Sequence, residues 1–171
     1  MQQRSPHILF LSTGNAVRSI LAEALMRHRV GQGPSARYQV RSAGLKPLPE
    51  VNGEALGMLR AARVPTDRLH PKSWGDFMAA SHILKMDVIV TLSEEARHYA
   101  QAWPQSKDGG PIRVHWAVDD PLSAPKADMR EWKFRKCFAT LDTRITALIK
   151  NRPAASPTEL LLQFKDVAMV V

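Results

Sequence analysis

The segment from His7 to Leu25 constrains the fold of this chain more than any other segment. It opens with an apolar run, Ile8 to Leu11, whose length and composition are those of a buried strand. Four small residues, Ser12 to Asn15, then predict a tight turn. Beyond the turn, one face of a predicted helix carries apolar residues at Ile20, Leu21, Ala24 and Leu25. A strand, a short loop and a helix in this order are typical of α/β domains.

The loop between this strand and helix has the composition of an anion-binding site. Backbone N–H groups of successive loop residues converge, and the dipole of the following helix adds positive potential. Arg18 offers a planar guanidinium that matches two oxygens of a tetrahedral anion. Ser19 either donates to position 12 or caps the helix. The sequence therefore predicts that phosphate, arsenate or sulfate binds to Thr13, Gly14, Asn15, Ala16, Val17, Arg18 and Ser19.

Composition favours a single globular unit without a disulfide framework or a cysteine-based metal site. The chain has 171 residues, of which 44% are hydrophobic, enough for a sizeable core. One cysteine, Cys137, excludes an internal disulfide and a cysteine-based metal site. No apolar run approaches the roughly 18 residues that span a bilayer, and no signal-peptide pattern follows the first residues. We expect a cytoplasmic protein with no cofactor and no membrane partner.

The charge balance leaves a second class of ligand open. A net charge of +8 and a pI near 10.1 are compatible with nucleic-acid binding. The basic residues are scattered along the chain, however, and only the stretch from Lys126 to Lys136 is moderately dense. A positive field also steers small oxyanions toward a cleft. The charge pattern therefore favours a small anion over nucleic acid.

Strand-like and helix-like segments alternate along the rest of the chain. Three further strands are predicted: Tyr38–Ser42, Met86–Leu92 and Ile112–Val118. Three helices are predicted among them: one along Val51, Ala55, Leu59 and Ala62, one capped by Ser93 and ending near Trp103, and a long one from Phe134 to Lys150. This alternation implies right-handed crossovers and a four-stranded parallel sheet. Ligands of such sheets bind beyond the carboxyl ends of the strands, where Ser12 to Arg18 lie.

The end of the chain forms a separate helical segment. Asn151 to Ala155 interrupts the long helix, and Ser156-Pro157-Thr158-Glu159 is a capping box with proline at the first helical position. We therefore divide the chain into a main domain, residues 1–151, and a C-terminal helical tail, residues 152–171, that packs on it.

The loop resembles the Cys-x5-Arg-Ser loop of low-molecular-weight tyrosine phosphatases and of their relatives, the thioredoxin-coupled arsenate reductases. Ser12 stands where those families have the nucleophilic cysteine. Asp120-Pro121 follows the fourth predicted strand, and the resemblance implies that Asp120 is the general acid. Asp119 is adjacent, but the proline favours Asp120; the alternative is a plain turn, which Asp-Pro often begins. The resemblance implies a flavodoxin-like α/β/α fold with Ser12, Arg18 and Asp120 as catalytic positions.

Further segments resemble the bacterial arsenate-reductase branch, namely Arg41-Ser42-Ala43-Gly44, Val51-Asn52, Lys72-Ser73-Trp74, Met86-Asp87 and His115-Trp116. That branch relays electrons through two more cysteines, and Ser93 and Ala100 occupy the matching positions here. Cys137 is expected to be a core residue rather than a redox partner. Leu122-Ser123-Ala124 follows Asp-Pro in place of aromatic residues, which favours a small inorganic anion. Some relatives bind potassium through residues that correspond to Asn15, Glu23, Ser42 and Asp76.

The predicted function is oxyanion binding by a protein whose family hydrolyses phosphomonoesters or reduces arsenate, with turnover crippled by Ser12. A serine hydroxyl needs an adjacent base, and the loop contains no histidine. A natural silent relative of this kind would act as a sensor or dock a phosphorylated partner. Alternatively, Ser12 replaces the catalytic cysteine of an active enzyme by engineering. The other class of function that remains is a basic nucleic-acid-binding module.

Overall fold

A computed structural model describes residues 4–31, 33, 35–105 and 109–171. Over these residues the chain forms four strands: β1 (His7–Ser12), β2 (Gln39–Gly44), β3 (Val88–Thr91) and β4 (Ile112–His115). Its helices are α1 (Arg18–Val30), α2 (Gly53–Ala61), α3 (Trp74–Ala79), α4 (Glu94–Tyr99), α5 (Ala127–Lys150) and α6 (Pro157–Val167). Two 3₁₀ turns, Ala100–Ala102 and Pro121–Ser123, complete the secondary structure of the described residues.

The four strands make one parallel sheet in the order β2-β1-β3-β4. Ile8 of β1 pairs with Val40 on one side and with Val88 on the other, so β1 is a central strand. The strand order reverses between β1 and β3, and the loop after β1 therefore opens at the switch point of the sheet. This arrangement confirms the predicted four-stranded parallel sheet and places the Ser12–Ser19 loop where ligands of such sheets bind.

Alternate residues of β1 face two different cores. Ile8 and Phe10 lie with apolar residues of α1, α2, α5 and α6, whereas Leu9 and Leu11 lie with Met86, Ala96 and Trp103 on the side of α3 and α4. Helices thus cover both faces of the sheet, as the three-layer prediction required. Burying both faces explains why the two central strands, β1 and β3, are continuous apolar runs rather than alternating patterns. Among the described residues, no helix is long and apolar enough to cross a bilayer.

The C-terminal helix α6 begins as the capping box predicts. The Ser156 hydroxyl accepts a hydrogen bond from the Glu159 amide at 3.1 Å, and Pro157 occupies the first turn. Phe164 is fully buried and stacks on Trp116, whose indole Nε1 donates to the Phe164 carbonyl at 2.9 Å. These contacts fix α6 against the main domain.

Several predicted boundaries were wrong. Helix α3 was not predicted at all, because its six residues are too few to show a helical period. The third and fourth strands are shorter than predicted: they span Val88–Thr91 and Ile112–His115, in place of Met86–Leu92 and Ile112–Val118. Helix α4 ends at Tyr99 and tightens into the 3₁₀ turn at Ala100–Ala102, short of the expected end near Trp103.

Candidate oxyanion site

The loop from Ser12 to Ser19 is held from outside by the segment that follows β2. Four of its carbonyl groups, those of Ser12, Thr13, Gly14 and Ala16, accept hydrogen bonds of 2.9–3.1 Å. The donors are, in the same order, the amides of Leu45, Lys46, Leu48 and Asn52. This set of bonds uses the carbonyl groups of the loop on its outer side and leaves its N–H groups for the inner side.

The N–H groups of the loop have no acceptor within the part of the chain that the structure describes, from Thr13 through Val17. Helix α1 begins directly after them, at Arg18, and no side chain caps its first turn. Its uncapped amides and its dipole therefore add to the positive potential of the loop. Asn15 has the left-handed conformation that its residue type tolerates, with φ of 47°. A loop of this geometry can bind a tetrahedral anion.

Ser12 lies at the base of this loop, and Ser19 is its hydrogen-bonding partner. The two Oγ atoms are 2.6 Å apart, and both side chains are buried. Asn15 Nδ2 donates to Ser19 Oγ at 2.8 Å, so the proton of Ser19 is free to point at Ser12. Of the two roles open to Ser19, contact with position 12 is the one observed, and capping of α1 is not.

A buried polar network extends from this contact to Glu23. Asn15 Nδ2 also donates to Ser42 Oγ at 2.9 Å, and Ser42 Oγ donates in turn to Glu23. The carboxylate of Glu23, 1% exposed, pairs with Lys72 Nζ at 3.2 Å and with Arg27 at 3.0 Å. The Lys72 amide donates to Asn15 Oδ1 at 2.7 Å. The network therefore holds both the nitrogen and the oxygen of the Asn15 side-chain amide. This fixes Asn15 and the backbone of the loop around it.

Lys72 was not singled out as a site residue from the sequence. No pattern marks it, because it lies in the irregular segment before α3 and its partner Glu23 is 49 positions away. Burial lowers the pKa of Lys72 below its ordinary value, although Glu23 beside it acts in the opposite direction.

The residues expected to bind potassium do not fit that ion. Asn15, Ser42 and Glu23 do cluster, but Asn15 Oδ1 already accepts from the Lys72 amide, and both Glu23 oxygens already face cationic side chains. Asp76 is exposed on α3, and no contact described for it reaches the cluster. The Lys72 ammonium therefore supplies the positive charge that the buried Glu23 carboxylate needs.

Arg18 and Asp120 meet across the mouth of the loop. Arg18 NH2 lies 3.1 Å from Asp120 Oδ2, and Arg18 NH1 donates to the Val118 carbonyl at 3.2 Å. Asp120 Oδ1 accepts from the Leu122 amide at 3.0 Å, so this carboxyl also caps the turn at Pro121–Ser123. Asp119 instead points outward, 74% exposed, toward Lys136 at 3.7 Å. The structure therefore brings Asp120, and not Asp119, to the loop.

The positions matched to relay cysteines lie on one side of the site. Ser93 Oγ is 3.2 Å from Thr13 Oγ1, and it caps α4 by accepting from the Ala96 amide. Ala100 is buried at the end of α4. Cys137 is buried in α5 among core residues, as predicted, and burial raises the pKa of its thiol to about 12. Its thiol is therefore protonated at neutral pH.

Comparison with known proteins identifies related sequences. The sequence profile of the low molecular weight phosphotyrosine protein phosphatase family matches residues 7–156. The chain belongs to this family. An arsenate reductase from Halalkalibacterium halodurans is 30% identical to it over 139 residues, which are 81% of this chain and 91% of that protein.

Solved structures share the fold. A thioredoxin-dependent arsenate reductase from Corynebacterium glutamicum has a TM-score of 0.62 and 23% identity; the match covers 88% of this chain and 63% of that longer one. The YwlE arginine phosphatase, solved as a Cys-to-Ser mutant with a phosphorylated active-site serine, has a TM-score of 0.58 and 22% identity, over 85% of this chain and 97% of that one.

Proposed function

We propose that this protein binds a phosphate-type oxyanion in the Ser12–Ser19 loop and that, with serine at position 12, it turns over little or no substrate. The observation that carries the proposal is the environment of Ser12. Within the described residues its Oγ contacts the Ser19 hydroxyl, and no carboxylate or imidazole reaches it. The amides of the loop and Arg18 supply binding, whereas nothing supplies a base.

The chemistry of the family explains why this matters. A thiolate at position 12 would attack phosphorus without a base, because converging amides lower the pKa of a thiol. A serine hydroxyl must lose its proton to a neighbouring base as it attacks. Ser19 Oγ accepts from Asn15 and donates to Ser12, and Asn15, whose amide nitrogen cannot accept a proton, lies between Ser19 and Glu23. The buried Glu23 carboxylate is therefore disconnected from Ser12.

Phosphate titration tests the binding half of the proposal. The guanidinium of Arg18 is expected to bind two phosphate oxygens, each a charge-assisted contact. Replacing Arg18 with alanine should weaken binding by about 1.5–3 kcal/mol, roughly 10- to 150-fold. Arg135→Ala on the exposed face of α5 is the matched control and should leave the affinity unchanged. Equal phosphate affinity in wild type and Arg18→Ala would disprove the site.

Turnover of an aryl phosphate tests the catalytic half. The wild-type chain should be close to background, and Ser12→Cys should gain measurable hydrolysis, since Arg18 and Asp120 are already in place. Robust hydrolysis by the serine form would mean that an unrecognised base activates Ser12 and that this mechanism is wrong.

A second candidate function is acceptance of one phosphoryl group by Ser12. It is favoured by the phosphorylated serine of the YwlE mutant and by the position of Ser12 Oγ at the base of the loop. Ser12 Oγ would form the new P–O bond as the bond to the leaving alkoxide breaks; the proton of the Ser12 hydroxyl would pass to an oxygen of the substrate phosphoryl group, and Asp120 would protonate the alkoxide. Intact-mass analysis after incubation with para-nitrophenyl phosphate should then show one added phosphoryl group per chain, absent in Ser12→Ala. An unchanged mass excludes this candidate and leaves oxyanion binding alone.

A further inference from the structure

A second cavity, separate from the oxyanion loop, lies at the open edge of β2. Its volume is about 260 Å³, and we call it the β2-edge pocket. Helix α1, strand β2 and the segment between α2 and α3 form its walls. None of the residues that line it belongs to the Ser12–Ser19 loop. Because β2 is the outer strand of the sheet, this cavity opens beside the sheet rather than beyond the ends of its strands.

The walls of the β2-edge pocket carry an excess of positive charge. Its ionised side chains are four basic ones, Arg27, Arg41, Arg68 and Lys72, and the carboxylate of Glu23. Glu23 is already in contact with Arg27 and Lys72, at 3.0 and 3.2 Å. The pocket thus carries four positive charges and one negative charge, a net excess of three positive charges.

The other two cations have no acidic partner among the described residues. Arg41 projects from β2, its Nε is buried, and no acceptor among the described residues lies within hydrogen-bonding distance of that nitrogen. Arg68, in the α2–α3 segment, forms no salt bridge with any described acidic residue. A buried guanidinium nitrogen without an acceptor is costly. An anion in the cavity would supply the acceptor that the protein itself does not.

The pKa of Lys72 is affected by the other positive charges of the pocket. Burial is the largest cause of the lowered pKa of Lys72, and the charges of Arg27 and Arg41 lower it further. The basic side chains of the pocket are therefore close enough to repel one another. Bound negative charge would relieve this repulsion, which acts in favour of a multivalent anion over a monovalent one.

We propose that the β2-edge pocket binds a small multivalent anion of the phosphate class, at a site distinct from the oxyanion loop. Diphosphate is the matching probe, because its charge is close to the excess of three on the walls and the cavity is larger than a single phosphate requires. This inference does not depend on catalysis or binding at Ser12. It gives the protein two anion sites of different size and charge.

Calorimetric titration of diphosphate into an Arg18→Ala variant tests the proposal, because anion binding at the oxyanion loop is expected to be roughly 10- to 150-fold weaker there. One saturable site should remain. Arg41→Gln or Arg68→Gln, added to that background, should each weaken it at least about tenfold, the loss expected for one charge-assisted contact. Arg60→Gln is the matched control: it removes the same charge from the exposed face of α2, outside the pocket, and should leave the affinity unchanged.

Two results would overturn the proposal. One is the absence of saturable diphosphate binding in Arg18→Ala, which would leave the oxyanion loop as the site of all binding. The other is an equal loss in Arg60→Gln and Arg41→Gln, which would indicate diffuse attraction to a basic surface. Melting temperatures of all variants check folding, and Arg68→Gln, whose side chain is exposed, provides a second test if Arg41→Gln is unstable. If Arg18→Ala loses phosphate binding but retains diphosphate binding, the two ligands bind at different sites.

Discussion

Both oxygens of the Asp120 carboxyl group are in use. One lies 3.1 Å from Arg18 and the other accepts from the Leu122 amide at 3.0 Å, so the side chain is oriented toward the loop without any bound ligand. Its side chain is 40% exposed, so the carboxyl group is open to the solvent and to a ligand at the mouth of the loop. A carboxyl group in this place can protonate the leaving oxygen of a phosphate ester.

We therefore expect Asp120→Asn, in the Ser12→Cys background, to lower kcat by about 10²- to 10⁴-fold, the usual contribution of a general acid. The loss should be larger with phenyl phosphate than with para-nitrophenyl phosphate, because the better leaving group needs less protonation. Asp119→Asn is the control; its side chain faces Lys136 at the surface and its loss should be small. A large loss of kcat in Asp119→Asn, without one in Asp120→Asn, would show that Asp119 is the general acid and that Asp120 is not.

The thiol of Cys137 should be unreactive in the folded protein. Burial raises its pKa from 9.0 to about 12, so the thiolate is scarce at pH 8. Alkylation by iodoacetamide should be slow in the native state and fast in urea. Because the folded pKa is the higher one, the thiol contributes to stability below about pH 9, and the contribution is lost as the pH rises toward 12. Rapid native-state alkylation would contradict this burial.

The sequence predicted the site at residue scale only where neighbours in sequence are neighbours in space. Arg18 and Ser19 follow the loop directly, so their roles could be inferred from position alone. Asp120 needed the resemblance to known phosphatases. Lys72 and the direction of the Asn15 amide could not be predicted, since both depend on contacts between segments tens of residues apart.

At the scale of elements, the end of β2 and the oxyanion loop approach each other at one glycine. A Cβ atom on Gly44 would lie 2.9 Å from both the backbone nitrogen and the Cβ of Asn15. Gly44 pairs with Ser12 in the sheet, and its amide donates to the Lys72 carbonyl at 2.8 Å. The strand and the loop can pack this closely only because residue 44 lacks a side chain.

Gly44→Ala should therefore destabilise the fold by about 1–3 kcal/mol, as overpacking does. It should also weaken phosphate binding, because the backbone atoms that must move belong to the loop. Gly57→Ala is the matched control: it lies inside α2 with open space around it, and it should stabilise the protein by about 0.5–1 kcal/mol. Urea unfolding and phosphate titration measure both effects. Normal phosphate affinity in a folded Gly44→Ala variant would show that the close packing of Gly44 against Asn15 does not position the loop.

The helices and strands were predictable where the regular spacing of apolar residues continued over a long enough segment. Helices α1, α5 and α6 and strand β1 follow from apolar spacing and caps, and the capping box of α6 is present as expected. The strand ends were not predictable, because Leu92, Trp116 and Val118 remain buried after β3 and β4 have ended. Burial continues there through loop packing, and composition alone cannot separate that from strand.

At the scale of the whole molecule, the arrangement of cysteine positions decides between hydrolysis and reduction. Reduction of arsenate by a cysteine relay needs a second thiol that can reach position 12 as a nucleophile. Ser93 contacts Thr13 of the loop, and Ala100 is buried directly after α4. Neither side chain carries sulfur. Cys137 has its sulfur on the α5 side, protonated and enclosed in the core.

Ser12→Cys should therefore hydrolyse an aryl phosphate and still fail to reduce arsenate. The measurement is reductant consumption with arsenate in a thioredoxin-coupled assay. A triple variant, Ser12→Cys with Ser93→Cys and Ala100→Cys, is the matched comparison and should gain arsenate-dependent consumption, because it restores both relay positions beside a fold and a loop that are otherwise complete. Steady consumption by Ser12→Cys alone would make Cys137 the resolving thiol, and adding Cys137→Ser would then have to abolish it. Absence of consumption in the single variant, with hydrolysis present, would place the barrier to reduction in the missing thiols rather than in the oxyanion loop.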